Sequence, residues 1–181
     1  MRVLREIGVV GERPASAEGA EAFRLALEQL GTTYIKLGQR LSSRPDLLPD
    51  VYIEELGRLV DEVPPVPFAE IAPIVEADLG PDTFVSIDEV PLATASIAQI
   101  HRAILKDGRD VVVKVRRPGI ESQIEVDLEL LRSTAALAEG RSETARLLQV
   151  TALAEELETH LRGELDFDED AHNPEIIARM L

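Results

Sequence analysis

Between residues 83 and 115 the chain changes its hydrophobic period, and a fold for it must hold both textures. Thr83–Ile87, Ser96–Leu105 and Asp110–Val115 carry β-branched residues separated by turn signals. Lys106-Asp107-Gly108 supplies the positive φ of a tight hairpin, so a three-stranded antiparallel meander is predicted here. On either side the punctuation is helical. Ser16–Leu30 opens on a capping serine, carries acid in its first turn and stops at Gly31. Thr32–Ser43 stops at Arg44-Pro45, Pro49-Asp50 opens a third helix to about Leu59, and Phe68–Leu79 closes at Gly80-Pro81. Val63-Pro64-Pro65-Val66-Pro67 is a stiff connector. After Pro118-Gly119 two long helices are expected, Ile120–Glu139 and Glu143 to about Arg179, with Gly163 and Pro174 as candidate breaks. Helices, a small sheet and then helices make an α+β pattern.

Composition narrows the chemistry. A 45 % hydrophobic share over 181 residues supports a core, built from Leu, Ile, Val and Ala because aromatics are only 3 %. Cysteine is absent, which excludes disulfides, thiolate metal sites and a cysteine nucleophile. No apolar run approaches the ~20 residues of a membrane span. Met1–Val10 lacks the apolar region of a secretory leader, so a cytoplasmic chain is expected. The net charge of −15 disfavours binding to nucleic acid. The only lysines are Lys36, Lys106 and Lys114. An acidic excess with arginine favoured over lysine suits a salt-rich cytoplasm, and an ordinary acidic protein fits equally well.

Four clusters could carry chemistry. On the second helix, Thr32, Lys36, Gln39 and Ser43 fall on one stripe, with Tyr34, Leu37 and Leu41 opposite. The plainest reading packs the apolar stripe and leaves the polar one in solvent. Leu92-Ala93-Thr94-Ala95-Ser96 lies between two strands, where small side chains let backbone approach a ligand as glycine-rich loops do over phosphates. The alternative is a small turn under a helix. Lys114 is the one charge in Val111–Val115; period two puts it on a face with Val112, opposite Val111, Val113 and Val115. It is either a paired, phosphate-contacting ammonium or an exposed lysine on an edge strand. Glu164-Leu165-Asp166-Phe167-Asp168-Glu169-Asp170 is a dense carboxylate run that asks for cations, with Lys36 and Lys114 as natural partners, or is simply solvated. His160, Glu164, Asp168 and His172 recur every four residues, but the ~40° drift per step lets only neighbours share an ion, so no metal site is expected.

These pieces together resemble the UbiB family of atypical kinases, the aarF-domain-containing kinases. The resemblance runs from about Gly31 almost to the end. It rests on Tyr34-Ile35-Lys36-Leu37-Gly38-Gln39 as a Lys-x-Gly-Gln signature, on Ser43-Arg44-Pro45-Asp46-Leu47-Leu48-Pro49, and on the alanine-rich loop with Ser96-Ile97-Ala98-Gln99-Ile100-His101-Arg102-Ala103. Val111–Val115 followed by Arg116-Arg117-Pro118-Gly119, and Glu164-Leu165-Asp166 as a Glu-x-Asp signature, complete it. The resemblance implies a kinase-like small lobe behind a helical N-terminal extension, dividing near residue 80. It implies that Lys36 and Gln39 belong to a regulatory extension folding across a nucleotide pocket, with Glu164 and Asp166 facing and pairing with it. It implies that Ala93, Thr94, Ala95 and Ser96 replace the glycine-rich loop, with Thr94 adding a hydroxyl near the phosphates. Lys114 would contact phosphate, with Asp170 at the place of its usual helix glutamate. ATP or ADP with magnesium, a link to ubiquinone or other isoprenoid lipids, peripheral membrane association and a lipid or membrane-protein partner follow from the same resemblance.

The 181 residues contain no catalytic loop of the His-x-Asp type and no Asp-Phe-Gly, so no catalytic residue or magnesium ligand is expected among them. The chain corresponds to an N-terminal extension plus most of a small lobe, with the large lobe absent. The rival reading is a non-catalytic half-lobe that binds a partner or self-associates through an exposed apolar face.

Overall fold

The structure, a computed structural model, describes residues 15–60 and 63–167. In chain order its helices are α1 (Ala17–Leu30), α2 (Thr32–Ser42), α3 (Asp50–Leu56), α4 (Phe68–Leu79), α5 (Ile120–Arg141), α6 (Glu143–Leu147) and α7 (Val150–Leu165). Its strands are β1 (Phe84–Ile87), β2 (Ala93–Thr94), β3 (Ala98–Leu105) and β4 (Asp110–Arg116). This is the expected α+β order. Contacts group the described residues into two units, residues 15–60 with 123–167, and residues 63–122. The spatial units divide near 60 and 122.

The first unit is helical. Ser16 caps α1, its Oγ accepting from the Gly19 amide at 3.1 Å. Gly31, at φ 96°, ends α1 and opens α2 directly, a conformation that favours glycine. Leu27, Ile35, Leu56 and Leu59 bury one core with Phe23, Tyr34, Leu41 and Leu48 around it. Burial of each such side chain stabilises by roughly 1.5–3 kcal/mol. In α5 and α7 the buried positions Ile124, Leu128, Ala135 and Ala154, Leu157, Leu161 recur at helical spacing. Arg132–Glu158 (3.0 Å) and Arg162–Glu125 (3.1 Å) link the two helices.

The long helix expected from Glu143 does not form as one piece. Gln149 adopts φ 50°, ψ 50°, which no α-helix accommodates, and the chain turns there between α6 and α7. Ser142 caps α6, and the Glu139 carboxylate accepts from the Thr151 amide at 2.9 Å, so both restarted helix ends find side-chain partners. The remainder, to Arg179, lies outside the described residues.

The second unit is a sheet with one helix on it. β3 is central and antiparallel to all its neighbours. β4 runs along one edge, from Ala98↔Arg116 to Ile104↔Asp110. β1 and β2 share the other edge in tandem, pairing Ile87↔Ala103 and Ala93↔Ile100. The expected meander is present, with β2 as an addition. Gly108, at φ 87°, turns β3 into β4. On the inner face α4 places Ile71 and Val75 against Ala103, Val113 and Val115.

Candidate functional site

Two residues of the polar stripe of α2, Lys36 and Gln39, are drawn out of solvent, while Ser43 at its end stays exposed. Lys36 Nζ lies 3.0 Å from both carboxylate oxygens of Glu164 on α7, with only 13 % and 24 % of the two side chains exposed. His160, one turn earlier on α7, bonds the same carboxylate at 2.9 Å. The Gln39 amide donates to the Leu59 carbonyl at 3.2 Å, and Thr33 donates to Asp127 at 2.8 Å. The stripe opposite is only half-buried: Leu37 and Leu41 line a recess with Leu153 and Leu157, rimmed by Arg40, Arg44 and Glu156. α2 is thus covered on two sides, by α1 and α3 and by α7. Contact with α7 on the side of Lys36 is why the simple amphipathic reading fails there. Gly38 is part of this packing. A Cβ there would overlap Leu59 and come within 2.8 Å of Leu27, so the motif glycine lets α2 lie against that core.

Of the Glu-x-Asp residues, Glu164 holds Lys36, and Asp166 closes α7 with its amide, which donates to the carbonyls of Arg162 and Gly163. Asp170, like Asp168 and His172, lies outside the described residues.

In the sheet unit, Ala93 and Thr94 are strand rather than loop, and Ala95 bonds Ala98 to leave Ser96 and Ile97 as the hairpin tip. Register aligns Ala93, Ile100 and Lys114 as neighbours across β2, β3 and β4. Directly opposed residues share a face, so these three line the outer face with Val112, away from α4. Val112 is 64 % exposed. Thr94 pairs with Gln99 and therefore belongs to the opposite face from Lys114. Ser96 is buried at the tip. Lys114 is exposed on β4, which pairs only with β3 among the described residues.

Sequence reasoning missed a buried polar set on the inner face. Gln99 binds the connector at both groups of Val66, accepting from its amide at 2.9 Å and donating to its carbonyl at 3.2 Å. Its amide also bonds His101 Nε2 at 2.7 Å, and His101 Nδ1 bonds the Asp88 carbonyl at 2.7 Å. Nδ1 carries the donated proton and Nε2 accepts, which satisfies both ring nitrogens. Alternation from Ala103 back to Gln99 could have flagged both residues as inward-facing.

A small antiparallel sheet covered on one face by a helix, with a lysine on its open face and a helical extension before it, defines a kinase-like small lobe. A solved structure of this kind is the complex of Rv3197 with erythromycin from Mycobacterium tuberculosis. It matches with a TM-score of 0.54 and 31 % identity, over 85 % of this chain and 40 % of that one. The model of the ABC1 atypical kinase-like domain matches residues 58–181. A protein named "Probable protein kinase UbiB" from Xylella fastidiosa is 43 % identical over 159 residues, and one of the same name from Cellvibrio japonicus is 42 % identical over 156. The chain belongs to the ABC1 or UbiB family of atypical kinase-like proteins. It spans 86 % of its own length but only 29 % of the Xylella relative.

Proposed function

We propose that this chain is the nucleotide-binding N-terminal part of a UbiB-like atypical kinase or ATPase linked to ubiquinone or other isoprenoid-lipid metabolism. The observation that carries the reading is the outer-face row Ala93, Ile100 and Lys114 beside exposed Val112. An apolar strip that ends in an ammonium suits a flat base and its phosphates: burial of the base is favourable, and the amine meets negative charge. Ala93 at the row's end leaves room for close approach. The family supplies the nucleotide's identity, ATP or ADP. Magnesium would enter on the phosphates of the nucleotide. The Lys36–Glu164 pair fastens α2 to α7 and holds the regulatory motif in one arrangement. No helix among the described residues is long and apolar enough to cross a membrane, so a contact with lipid would be peripheral for this part of the chain.

A second reading, a partner-binding half-lobe, is favoured by Val85, Val90 and Leu92, which are 60–79 % exposed. Thermal unfolding separates the two. Mg–ADP raises the melting temperature of the chain, and Lys114→Ala removes the rise. An equal rise in both proteins, or none at millimolar ligand, overturns the nucleotide reading. In that case concentration-dependent sedimentation would support the half-lobe.

A further inference from the structure

The long helix α5 is apolar on two opposite sides. One side is the buried row Ile124, Leu128 and Ala135. On the other, Val126, Leu130 and Leu137 are 67 %, 53 % and 52 % exposed. At ~100° per residue these three fall within ~40° of one another, and the row runs for about three turns. Exposed Ser133 fills the gap between Leu130 and Leu137. Single hydrophobic residues on a surface are ordinary, but a helix with a second apolar row is normally covered on both sides.

Two features of the row favour a second copy of the chain as its cover. Large and small side chains mirror each other about a point between Leu131 and Arg132: Val126 mirrors Leu137, and Leu130 mirrors Ser133. An identical helix laid antiparallel across that point sets Val126 against Leu137 and the bulk of Leu130 over Ser133, so ridges meet gaps. Charge favours the same direction. The first half of α5 carries Glu121, Glu125, Asp127 and Glu129 with no base, whereas the second carries Arg132 and Arg141 against Glu139. Antiparallel copies bring each acidic half to the half that holds the two arginines and oppose the helix dipoles. A lipid surface fits less well, because a helix lying on a membrane carries lysine and arginine along its polar face, where α5 carries mostly carboxylates.

We propose that the Val126, Leu130 and Leu137 face of α5 is the seam of a weak two-fold dimer, in which a second copy of this chain lies antiparallel across it. The seam covers about 16 Å of helix axis, at the small end of specific contacts, so pairing is half complete only at on the order of 100 µM. Each copy brings a net charge of −15, so screening by salt tightens the pair. The dimer is independent of the nucleotide reading, and it uses none of Val85, Val90 and Leu92.

Sedimentation equilibrium of the full 181-residue chain tests this. A monomer–dimer equilibrium is expected that tightens from low to moderate salt. Leu130→Glu, at an exposed position, keeps the fold and weakens pairing by at least about tenfold, because it sets two carboxylates into the seam. Val90→Glu leaves pairing unchanged. The chain has no cysteine, so a single introduced one reports the orientation. Two Ser133→Cys copies lie about 4.5 Å apart along the helix axis, near the two-fold point, and oxidise to a disulfide-linked dimer. Two Ser122→Cys copies lie about 28 Å apart along it and do not. The proposal is overturned by a chain that stays monomeric at millimolar concentration, by a dimer that Leu130→Glu leaves intact, or by equal cross-linking at both cysteines. It is also overturned if the chain stays monomeric and binds vesicles of phosphatidylcholine and phosphatidylglycerol, and Leu130→Glu abolishes that binding.

Discussion

Gly38 and Lys36, two residues of one short motif, are held by different physics. Gly38 is a packing requirement: a side chain there meets Leu27, Leu56 and Leu59. Gly38→Val is expected to lose about 2–3 kcal/mol in denaturant unfolding through overpacking. A loss below about 0.5 kcal/mol would show that the leucines simply move aside. Lys36 is an electrostatic requirement. Its pair with Glu164 is mostly shielded, unlike Lys106–Asp82, where 55 % and 91 % of the side chains are exposed. A double-mutant cycle of Lys36→Met and Glu164→Gln should give a coupling of about 1–2 kcal/mol, against less than about 1 kcal/mol for the exposed pair. No coupling would mean that His160 alone satisfies Glu164. The pair was legible from the motif resemblance, but not from the helix wheel, because a wheel does not show that a second helix covers the polar side.

Among the elements, those bounded by strong local chemistry were the legible ones. α1 begins at its serine cap, α2 at Gly31 and α4 after Pro67, within a residue of where those signals sit. β3 and β4 follow from alternation plus Asp107-Gly108. β2 was hidden because two residues carry no period, and only pairing with β3 makes them a strand. That pairing also sends Ala93 to the Lys114 face and Thr94 away from it. The break at Gln149 carried no glycine or proline to announce it. A non-glycine residue there stores strain, so Gln149→Gly should leave stability unchanged or raise it by up to about 1 kcal/mol, whereas Leu153→Gly, inside α7, should lower it. A clear loss for Gln149→Gly would mean that the turn is held by its side chain instead.

The molecule as a whole carries its net charge of −15 unevenly, with ten of those charges from Pro118 onward. Screening should therefore raise its melting temperature between low and moderate salt. Acid acts through particular groups. Hydrogen bonds from Arg44 and Arg102 hold the Asp46 and Asp110 carboxyls below their ordinary range, and the Arg109 amide and guanidinium do so for Asp107. A lowered folded pKa contributes stability above the unfolded value and loses it as pH falls through the folded one. Stability should decline below about pH 4, and only mildly, because all three groups are exposed. The 181 residues contain no His-x-Asp loop and no Asp-Phe-Gly, so this polypeptide should bind nucleotide without turning it over. ATP hydrolysis above that of Lys114→Ala would contradict that expectation.

The most direct measurement is an amide NMR titration of the chain with Mg–ADP, read strand by strand. The account predicts shifts concentrated at Ala93, Ile100, Val112 and Lys114, with the inward-facing Val113 and His101 moving less. Shifts spread over the first helical unit, or none on β3 and β4, would contradict it.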